Sequence, residues 1–408
     1  MTPFLQLIFM LAIILIAAKF AGYLSTRIKQ PSVFGELLVG VLLGPSLLNI
    51  THLSFIADTH LGDMIYELGE IGVLLLMFLA GLELHISEIV KNTKVSVFTG
   101  ILGVIFPLGF GFGIGIITGM PSSHAIYLGL ALSATSVSIS AQTLMEMGKL
   151  KTRVGLGLLG AAVFDDILVI LLLSIFLAFT SGASGITAIL IVIIRMTGFL
   201  ILSVAFGLFL LPWISRKVSR LPISQGSLAL AIVIIFLYGI AAEIVGSMAA
   251  ITGSFIAGLM FSRTTEKTSF EPGIRSLSYG FFVPIFFVSI GLSMNLREIS
   301  GSYIWMILII VTLSIIGKIL GAGLGAKLAG LPALDSVQMG IGMISRGEVG
   351  LIIAKIGIDN ALLNNHTFSA IIAVVLFTTL LTPPLLRASF IRGDKRKAAE
   401  SLLTSQED

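Results

Sequence analysis

The sequence predicts an all-α polytopic membrane protein with thirteen transmembrane helices. Of its 408 residues, 56% are apolar and only 11% are charged, and the mean hydropathy is +1.08. A soluble domain carries about 25% charged residues. The apolar residues occur in runs of about 20, the length of helix that crosses a bilayer. Basic residues concentrate in every second loop, so the net charge of +4 carries no indication of a nucleic-acid partner.

The apolar runs give approximate limits for the predicted helices. The first run is too long for the apolar part of a signal peptide and is interpreted as a retained helix. The second and ninth are short for a membrane span. The absence of cysteine excludes disulfides and thiolate metal sites. The predicted segments are 3–24, 32–49, 65–84, 95–117, 123–145, 154–179, 185–212, 225–244, 247–262, 276–294, 302–326, 335–357 and 364–388.

Lysine and arginine set the predicted orientation, because cytoplasmic loops hold an excess of these residues. Nineteen of the 25 follow odd-numbered segments or lie in the C-terminal tail, and only two follow even-numbered segments. We therefore expect the N-terminus outside and the C-terminus in the cytoplasm. The remaining four lie within segments, and the sequence identifies no partner for one of them, Arg195. They are Lys19, Arg195, Lys318 and Arg346.

The two halves of the chain resemble each other at an offset of about 210 residues. GLELHISEI (81–89) matches GLSMNLREI (291–299), which pairs the third segment with the tenth. An odd shift of seven segments reverses the direction through the membrane. The sequence therefore predicts two inverted six-helix repeats joined by the seventh segment as a linker helix. Inverted repeats are typical of secondary transporters, which bind ions near the bilayer midplane; chance similarity of Gly-rich helices is the alternative.

Five ionisable side chains lie near the middle of predicted helices. Asp165 and Asp166 lie in the sixth segment, Lys318 in the eleventh, and Arg346 and Glu348 in the twelfth. A charge at the bilayer centre costs about 2.5–3.5 kcal/mol on insertion scales, so such residues usually have a partner or a function. If the five converge in space, three carboxylates against two cations leave one positive charge missing. One monovalent cation or one proton supplies that charge, which predicts competition between them without any cofactor.

The two adjacent aspartates are expected to have different roles. Neighbouring residues project about 100° apart on a helix, so Asp165 and Asp166 cannot face one point equally. One is expected to face an ion cavity and the other to meet Lys318. A purely structural salt bridge is the alternative, although it needs only one carboxylate. For Arg346 and Glu348, a structural pair that holds interrupted helices together is equally open.

Two predicted helices carry residues typical of an interruption. SATSVSIS (133–140) places hydroxyl groups in the fifth segment, and GIGMISRGEVG (340–350) places glycines around charges in the twelfth. Unwound backbone at membrane depth is tolerated only where it is buried or lines a cavity. The freed carbonyls and the hydroxyls of Thr135 and Ser136 supply the oxygen ligands that a hard cation prefers. Ordinary bonding of these hydroxyls to the helix backbone is the alternative.

The chain resembles bacterial and archaeal monovalent cation:proton antiporters of the second family, the group that contains NapA and GerN. The resemblance implies an NhaA/NapA-like fold, in which the two broken helices cross, and a secondary transporter of the cell (inner) membrane rather than an enzyme. It covers essentially the whole membrane chain. The matching stretches are QPSVFGELLVGVLLGPS (30–46), IGVLLLMFLAGLEL (71–84), SATSVSIS, VFDDI (163–167), FVPIFFVSIGL (282–292), GKILG (317–321) and SRGEVGLI (345–352).

The same resemblance implies roles for individual residues. Asp166 would be the principal ion and proton carboxylate, and Asp165 would pair with Lys318 when no sodium is bound. Thr135 and Ser136 would lie where the broken helices cross. An aspartate pair is similar to the electrogenic members of the family. We therefore expect electrogenic exchange of Na⁺ or Li⁺ for H⁺ in pH homeostasis, with potassium/proton exchange as the alternative.

The resemblance further implies a homodimer in which a core slides like an elevator against a dimerisation domain. The implied divisions are 1–94 and 221–300 for dimerisation, 95–180 and 301–390 for the core, 181–220 for the linker helix, and 391–408 for a short cytoplasmic tail.

Two other function classes agree less well with the sequence. An intramembrane aspartyl protease needs two aspartates that face each other, whereas the two here are neighbours on one predicted helix. A cation channel is a further alternative, but the sequence contains no TVGYG-like filter. A saturable flux driven by a pH gradient separates an antiporter from a channel.

Overall fold

The computed structural model describes residues 2–50, 60–84, 91–180, 185–293, 297, 304–359 and 362–404. Within these ranges the chain is helical and contains no strand. Ten helical stretches in this part of the chain are long and apolar enough to cross a membrane, and two further apolar helices are shorter. The structure therefore confirms a multi-pass helical membrane protein, while the count of thirteen crossings stays a prediction. Parts of the two repeated stretches, 85–89 and most of 294–299, lie outside the described residues.

The helices are numbered here in chain order. The N-terminal half holds α1 (Pro3–Arg27), α2 (Ser32–Leu43), α3 (Leu61–Leu82), α4 (Thr93–Ile117), α5 (Ser122–Ser133), α6 (Val137–Glu146), α7 (Arg153–Thr180), α8 (Gly185–Ala205) and α9 (Leu211–Val218). The C-terminal half holds α10 (Gly226–Ile244), α11 (Ala250–Phe261), α12 (Lys267–Leu277), α13 (Val283–Leu292), α14 (Ile304–Leu328), α15 (Ala333–Gly342), α16 (Glu348–Asp359) and α17 (Asn365–Thr404).

Hydropathy located the membrane spans better than it located the ends of the helices. The helix α12 begins at Lys267, well before the predicted start at 276, because its polar first turns include a Lys267–Glu271 ion pair one turn apart. The helix α17 continues to Thr404. Most of the region predicted as a short tail is therefore helical, since its Lys, Ala, Glu and Leu residues are good helix formers even where they are too polar for lipid.

Two membrane helices contain short π-helical turns, at Phe206–Leu210 and Ser278–Phe282. A proline follows each turn within two residues, Pro212 and Pro284. Proline has no N–H for the usual i→i−4 hydrogen bond, and a π turn shifts the bonding pattern around the gap. Near the second turn, Lys19 Nζ donates to the carbonyl of Tyr279 at 2.6 Å.

The helices pack in two groups. The first group contains α1–α3 and α10–α13, and the second contains α4–α7 and α14–α17. In the first group α3 and α11 cross so closely that a β-carbon on Gly258 would overlap the carbonyl oxygen of Phe78. The groups meet mainly through α6, which contacts α2 and α3, and through α17 against α2. The division into a core and a dimerisation domain stays a prediction.

The helix α8 lies between the groups and contacts both α7 and α11. Its Arg195 has a partner that the sequence did not identify. The guanidinium donates to the carbonyl of Val245 at 3.0 Å and also to the carbonyl of Ile244. These carbonyls lie at the C-terminal end of α10, where the backbone acceptors lack helical partners and the helix dipole favours a positive charge.

Candidate ion-binding site

Two interrupted helices meet inside the second group. The chain leaves helical geometry between α5 and α6, at residues 134–136, and again between α15 and α16, at residues 343–347. Ser136 N donates to the carbonyl of Ser345 at 2.9 Å, and Ser345 Oγ donates to the carbonyl of Ser136 at 2.7 Å. Each interruption thus satisfies backbone groups that the other exposes, which unwound backbone at this depth requires.

Arg346 supports this crossing. Its side chain is 1% exposed, and Nε donates to the carbonyl of Leu132 at 3.0 Å. The guanidinium also donates to the carbonyls of Ile344 and Ser314. Leu132 belongs to the last turn of α5, where carbonyls lack helical partners and a cation is favourable. The contacts of Arg346 therefore favour the structural alternative for this residue.

The predicted pairing of Arg346 with Glu348 lies beyond what the structure describes. Glu348 is the first residue of α16, but its side chain lies outside the described part of the chain. The count of three carboxylates against two cations consequently stays a prediction.

Lys318 and Asp165 form an ion pair beside the α5–α6 interruption. Lys318 Nζ lies 3.3 Å from both carboxylate oxygens of Asp165 and donates to Thr135 Oγ1 at 2.5 Å. Both charged side chains are almost fully buried, at 0% and 1% exposure. The structure therefore contains the contact that the family resemblance implied. It joins α7, α14 and the unwound backbone at Thr135.

Asp166 has a different hydrogen-bond partner from Asp165. Its carboxylate Oδ2 accepts a hydrogen bond from Thr252 Oγ1 at 3.0 Å. Thr252 belongs to α11 in the first group, so Asp166 crosses the boundary between the groups while Asp165 bonds within its own group. The sequence predicted this divergence but missed Thr252. An uncharged hydroxyl in an apolar segment, AITGSF, was the one available signal.

Ser136 is brought to the crossing as expected, but its backbone polar groups are engaged there. Its hydroxyl lies 3.0 Å from that of Ser138.

The candidate site offers oxygen ligands. The carboxylates of Asp165 and Asp166, the hydroxyls of Thr135 and Ser136 and nearby carbonyl groups are a set of hard oxygen ligands, suited to a proton or an alkali cation. No group of three or more His, Asp or Glu side chains that could hold a metal ion occurs in the portion of the chain that the structure describes.

A cavity of about 650 Å³ opens between the two groups on one side of Asp166. Its lining comes from α3, α7, α10, α11, α13 and α16, and includes the carboxylates of Glu70 and Glu243. Ile170, one turn along α7 from Asp166, and Ile251, next to the hydroxyl partner of Asp166, also line the cavity. The cavity therefore lies close to the Asp166–Thr252 contact, although neither of these two residues lines it. In the predicted orientation it opens to the outside.

The groups also contact each other at the C-terminal end of α6. Glu146 accepts hydrogen bonds from Ser32 N at 2.6 Å and from Ser32 Oγ at 2.5 Å. Gln142 donates to the same carboxylate at 2.8 Å. Ser32 begins α2, so a carboxylate from the second group caps a helix N-terminus of the first group, where negative charge is favourable.

Crossed helix interruptions, a buried Asp–Lys pair and a second buried carboxylate that bonds across the two helix groups define a secondary ion transporter rather than an enzyme. The chain belongs to the sodium/hydrogen exchanger family, whose transmembrane model matches residues 13–388. The family assignment made from the sequence is thereby confirmed.

Relatives of full length support this assignment. The chain is 40% identical over 394 residues to the Na(+)/H(+)-K(+) antiporter GerN of Bacillus cereus, covering 97% of this chain and 99% of that one. It is 35% identical over 385 residues to a Na(+)/H(+) antiporter of Enterococcus hirae, covering 94% and 98%. Its fold is similar to that of the sodium proton antiporter MjNhaP1 from Methanocaldococcus jannaschii, with a TM-score of 0.64, 18% identity, and coverage of 95% and 97%.

Proposed function

We propose that the protein exchanges Na⁺ or Li⁺ for H⁺ across the cell membrane, with Asp166 as the carboxylate for which the two ions compete. The different partners of the two aspartates are the observation that supports this most strongly. Asp165 forms an ion pair with Lys318, whereas Asp166 accepts a hydrogen bond from the neutral hydroxyl of Thr252 beside the cavity. A carboxylate so placed takes up either a proton or a cation from water.

The ion pair gives the exchange a route to net charge movement. A cation bound at Asp166 takes further oxygen ligands from Asp165, Thr135 and the crossing near Ser136. When Asp165 turns to the cation, Lys318 loses its counter-ion and its bond to Thr135, and it releases a proton. Two protons, one from Asp166 and one from Lys318, then leave for each sodium that enters, so each cycle moves one net charge.

Alternating access follows from movement of the second helix group against the first. In this proposal residues 95–180 and 301–390 form a core that slides like an elevator, and residues 1–94 and 221–300 form a dimerisation domain in a homodimer. Thirteen crossings, two inverted repeats joined by the linker helix 181–220, and a cytoplasmic C-terminus complete the proposal. Packing of the helices in two groups with contacts at α6 and α17 supports it. Export of Na⁺ against inward H⁺ would serve pH homeostasis.

Ion exchange by the purified protein in proteoliposomes tests the proposal. An imposed pH gradient should drive saturable Na⁺ and Li⁺ transport, with a rate that depends on membrane voltage. Asp166→Asn should abolish it, because an amide neither ionises nor releases a proton. The exposed aspartate Asp63 provides the matched control, Asp63→Asn. Sodium-driven proton flux that survives in Asp166→Asn would rule out this carboxylate as the shared site.

Potassium is the second candidate cation. The name of the relative GerN, a Na(+)/H(+)-K(+) antiporter, includes K⁺ beside Na⁺, and GerN is 40% identical to this chain. Oxygen ligands alone do not determine the size of the ion that is selected. The same proteoliposomes, assayed with equal K⁺ and Na⁺ gradients, distinguish the two cations. If potassium is transported at the same rate as sodium, and with the same saturation, the protein exchanges both cations for protons.

A further inference from the structure

The hydroxyl of Thr252 bonds to a carboxylate and not to a backbone carbonyl. Other buried hydroxyls bond to backbone carbonyls, as Thr143 does to Ile139 in its own helix and Ser254 does to Leu74 in a neighbouring one. Thr252 is 2% exposed, and its Oγ1 donates instead to Asp166 across the boundary between the groups. This is a direct hydrogen bond between the candidate ion carboxylate and the other helix group.

The helix that carries Thr252 is fixed within the first group. Ser254 Oγ, two residues further along α11, donates to the carbonyl of Leu74 on α3 at 2.5 Å. Gly258 packs directly on the α3 backbone, and Gly253 packs directly on the carbonyl of Tyr238 on α10. Thr252 therefore cannot follow Asp166 if the second group slides. The Thr252–Asp166 bond has to break each time the carrier changes its orientation.

The strength of this bond depends on what Asp166 carries. A hydrogen bond to an ionised carboxylate is roughly twice as strong as one between neutral groups. A proton or a cation on Asp166 withdraws charge from the acceptor and weakens the bond. The empty, ionised carrier is thus held more firmly than either loaded form.

We propose that Thr252 is a latch that keeps the empty carrier from changing its orientation, and so couples the two ion movements. This inference rests on the proposed function, since it assumes that Asp166 is the shared carboxylate. An empty carrier that reoriented freely would carry sodium downhill with no proton in return. Thr252 is a positioning residue in this scheme. It allows reorientation only after a proton or a cation on Asp166 has weakened the Thr252–Asp166 hydrogen bond.

The test compares Na⁺ efflux with H⁺ uptake in the same proteoliposomes, loaded with sodium and diluted into sodium-free medium. The ratio of the two fluxes measures coupling. Thr252→Val keeps the volume and shape and removes the donor, whereas Thr252→Ser keeps the donor. Ser254→Ala is the matched control, because it removes a hydroxyl from the same helix that bonds only within the first group.

The expected result is a rise of about tenfold in proton-independent sodium efflux for Thr252→Val, the factor expected for loss of one hydrogen bond to a charged group. Thr252→Ser and Ser254→Ala should keep the wild-type flux ratio. Thr252→Cys, similar in size with a weaker donor, should give an intermediate rise and serves where valine prevents folding.

A wild-type flux ratio in whichever of the Val and Cys variants folds would overturn the latch and leave the antiport proposal intact. An equal loss of coupling in Ser254→Ala would also overturn it, because the effect would then come from general loosening of α11. Absence of any exchange by the wild-type protein would overturn the proposed function, and the latch with it.

Discussion

Ser136 and Ser345 are joined by two hydrogen bonds that run in opposite directions, one from each interrupted helix. A third contact, from Ser140 Oγ to the carbonyl of Gly342 at 2.5 Å, connects the same two elements. The two interruptions therefore form one braced unit. We call this unit the brace. Two kinds of charged residue lie around it: Arg346 donates to backbone carbonyls, whereas Lys318 and Asp165 bond to each other.

Arg346 belongs to the brace, and its loss is expected to destabilise the protein. Arg346→Gln leaves several buried carbonyls of the crossing without a charged donor, at about 1.5–3 kcal/mol for each such hydrogen bond. The melting temperature in detergent should fall clearly. Arg346→Lys keeps the charge but cannot span the same carbonyls, so it should give a smaller fall. Unchanged melting temperatures for both variants would contradict a structural role.

Lys318 belongs to the ion pair, and its removal should affect both stability and charge movement. Lys318→Gln leaves Asp165 buried without a counter-ion, and breaking a buried pair from one side costs about 3–5 kcal/mol. The variant should melt at a lower temperature and show weaker dependence of exchange on membrane voltage.

The double variant Asp165→Asn/Lys318→Gln separates the two effects. Removing both charges should recover much of the lost stability, because no unpaired buried charge is left. Voltage dependence should not recover. If Lys318→Gln alone leaves both melting temperature and voltage dependence unchanged, the ion pair has neither role.

The sequence was sufficient to identify the charged residues of the candidate site and the hydroxyls of Thr135 and Ser136, but not the hydrogen-bond partner of Asp166. Charges inside apolar segments are conspicuous because burying them is costly, so Asp165, Asp166 and Lys318 could be found without a structure. Thr252 could not be found in this way, because a hydroxyl in a helix usually bonds to its own backbone. The role of Arg346 as a donor to carbonyls depends on where the two interruptions cross, which no local pattern reveals.

The ends of the helices were the weakest part of the fold prediction, for a related reason. Hydropathy reports the lipid boundary, whereas a helix ends where its hydrogen bonds and caps end. The polar continuation of α17 to Thr404 and the early start of α12 at Lys267 both lie beyond that boundary.

The close crossing of α3 and α11 predicts a site where a single methyl group is not tolerated. Gly258→Ala would push a β-carbon into the carbonyl of Phe78, and such overpacking costs about 1–3 kcal/mol. Gly62→Ala on α3 is the matched control, because nothing lies within 4 Å of its added carbon. It should leave the melting temperature equal or higher, since alanine favours a helix. Equal melting behaviour of the two variants would contradict the tight crossing.

The contact of Glu146 with the start of α2 predicts that this carboxylate helps to hold the two helix groups together at the C-terminal end of α6, away from the cavity near Asp166. Glu146→Gln keeps an acceptor oxygen but removes the charge that favours a helix N-terminus. Because Glu146 is exposed, the effect should be small, about a twofold shift towards the open form.

The opening can be measured by labelling a cysteine. The chain has no cysteine, so a single Met145→Cys in the cavity beside Glu146 reports opening through its rate of alkylation by a polar maleimide. Glu266→Gln, a charge change outside that cavity, should leave the rate unchanged, and an equal rise in both variants would show a general charge effect instead of a closing contact.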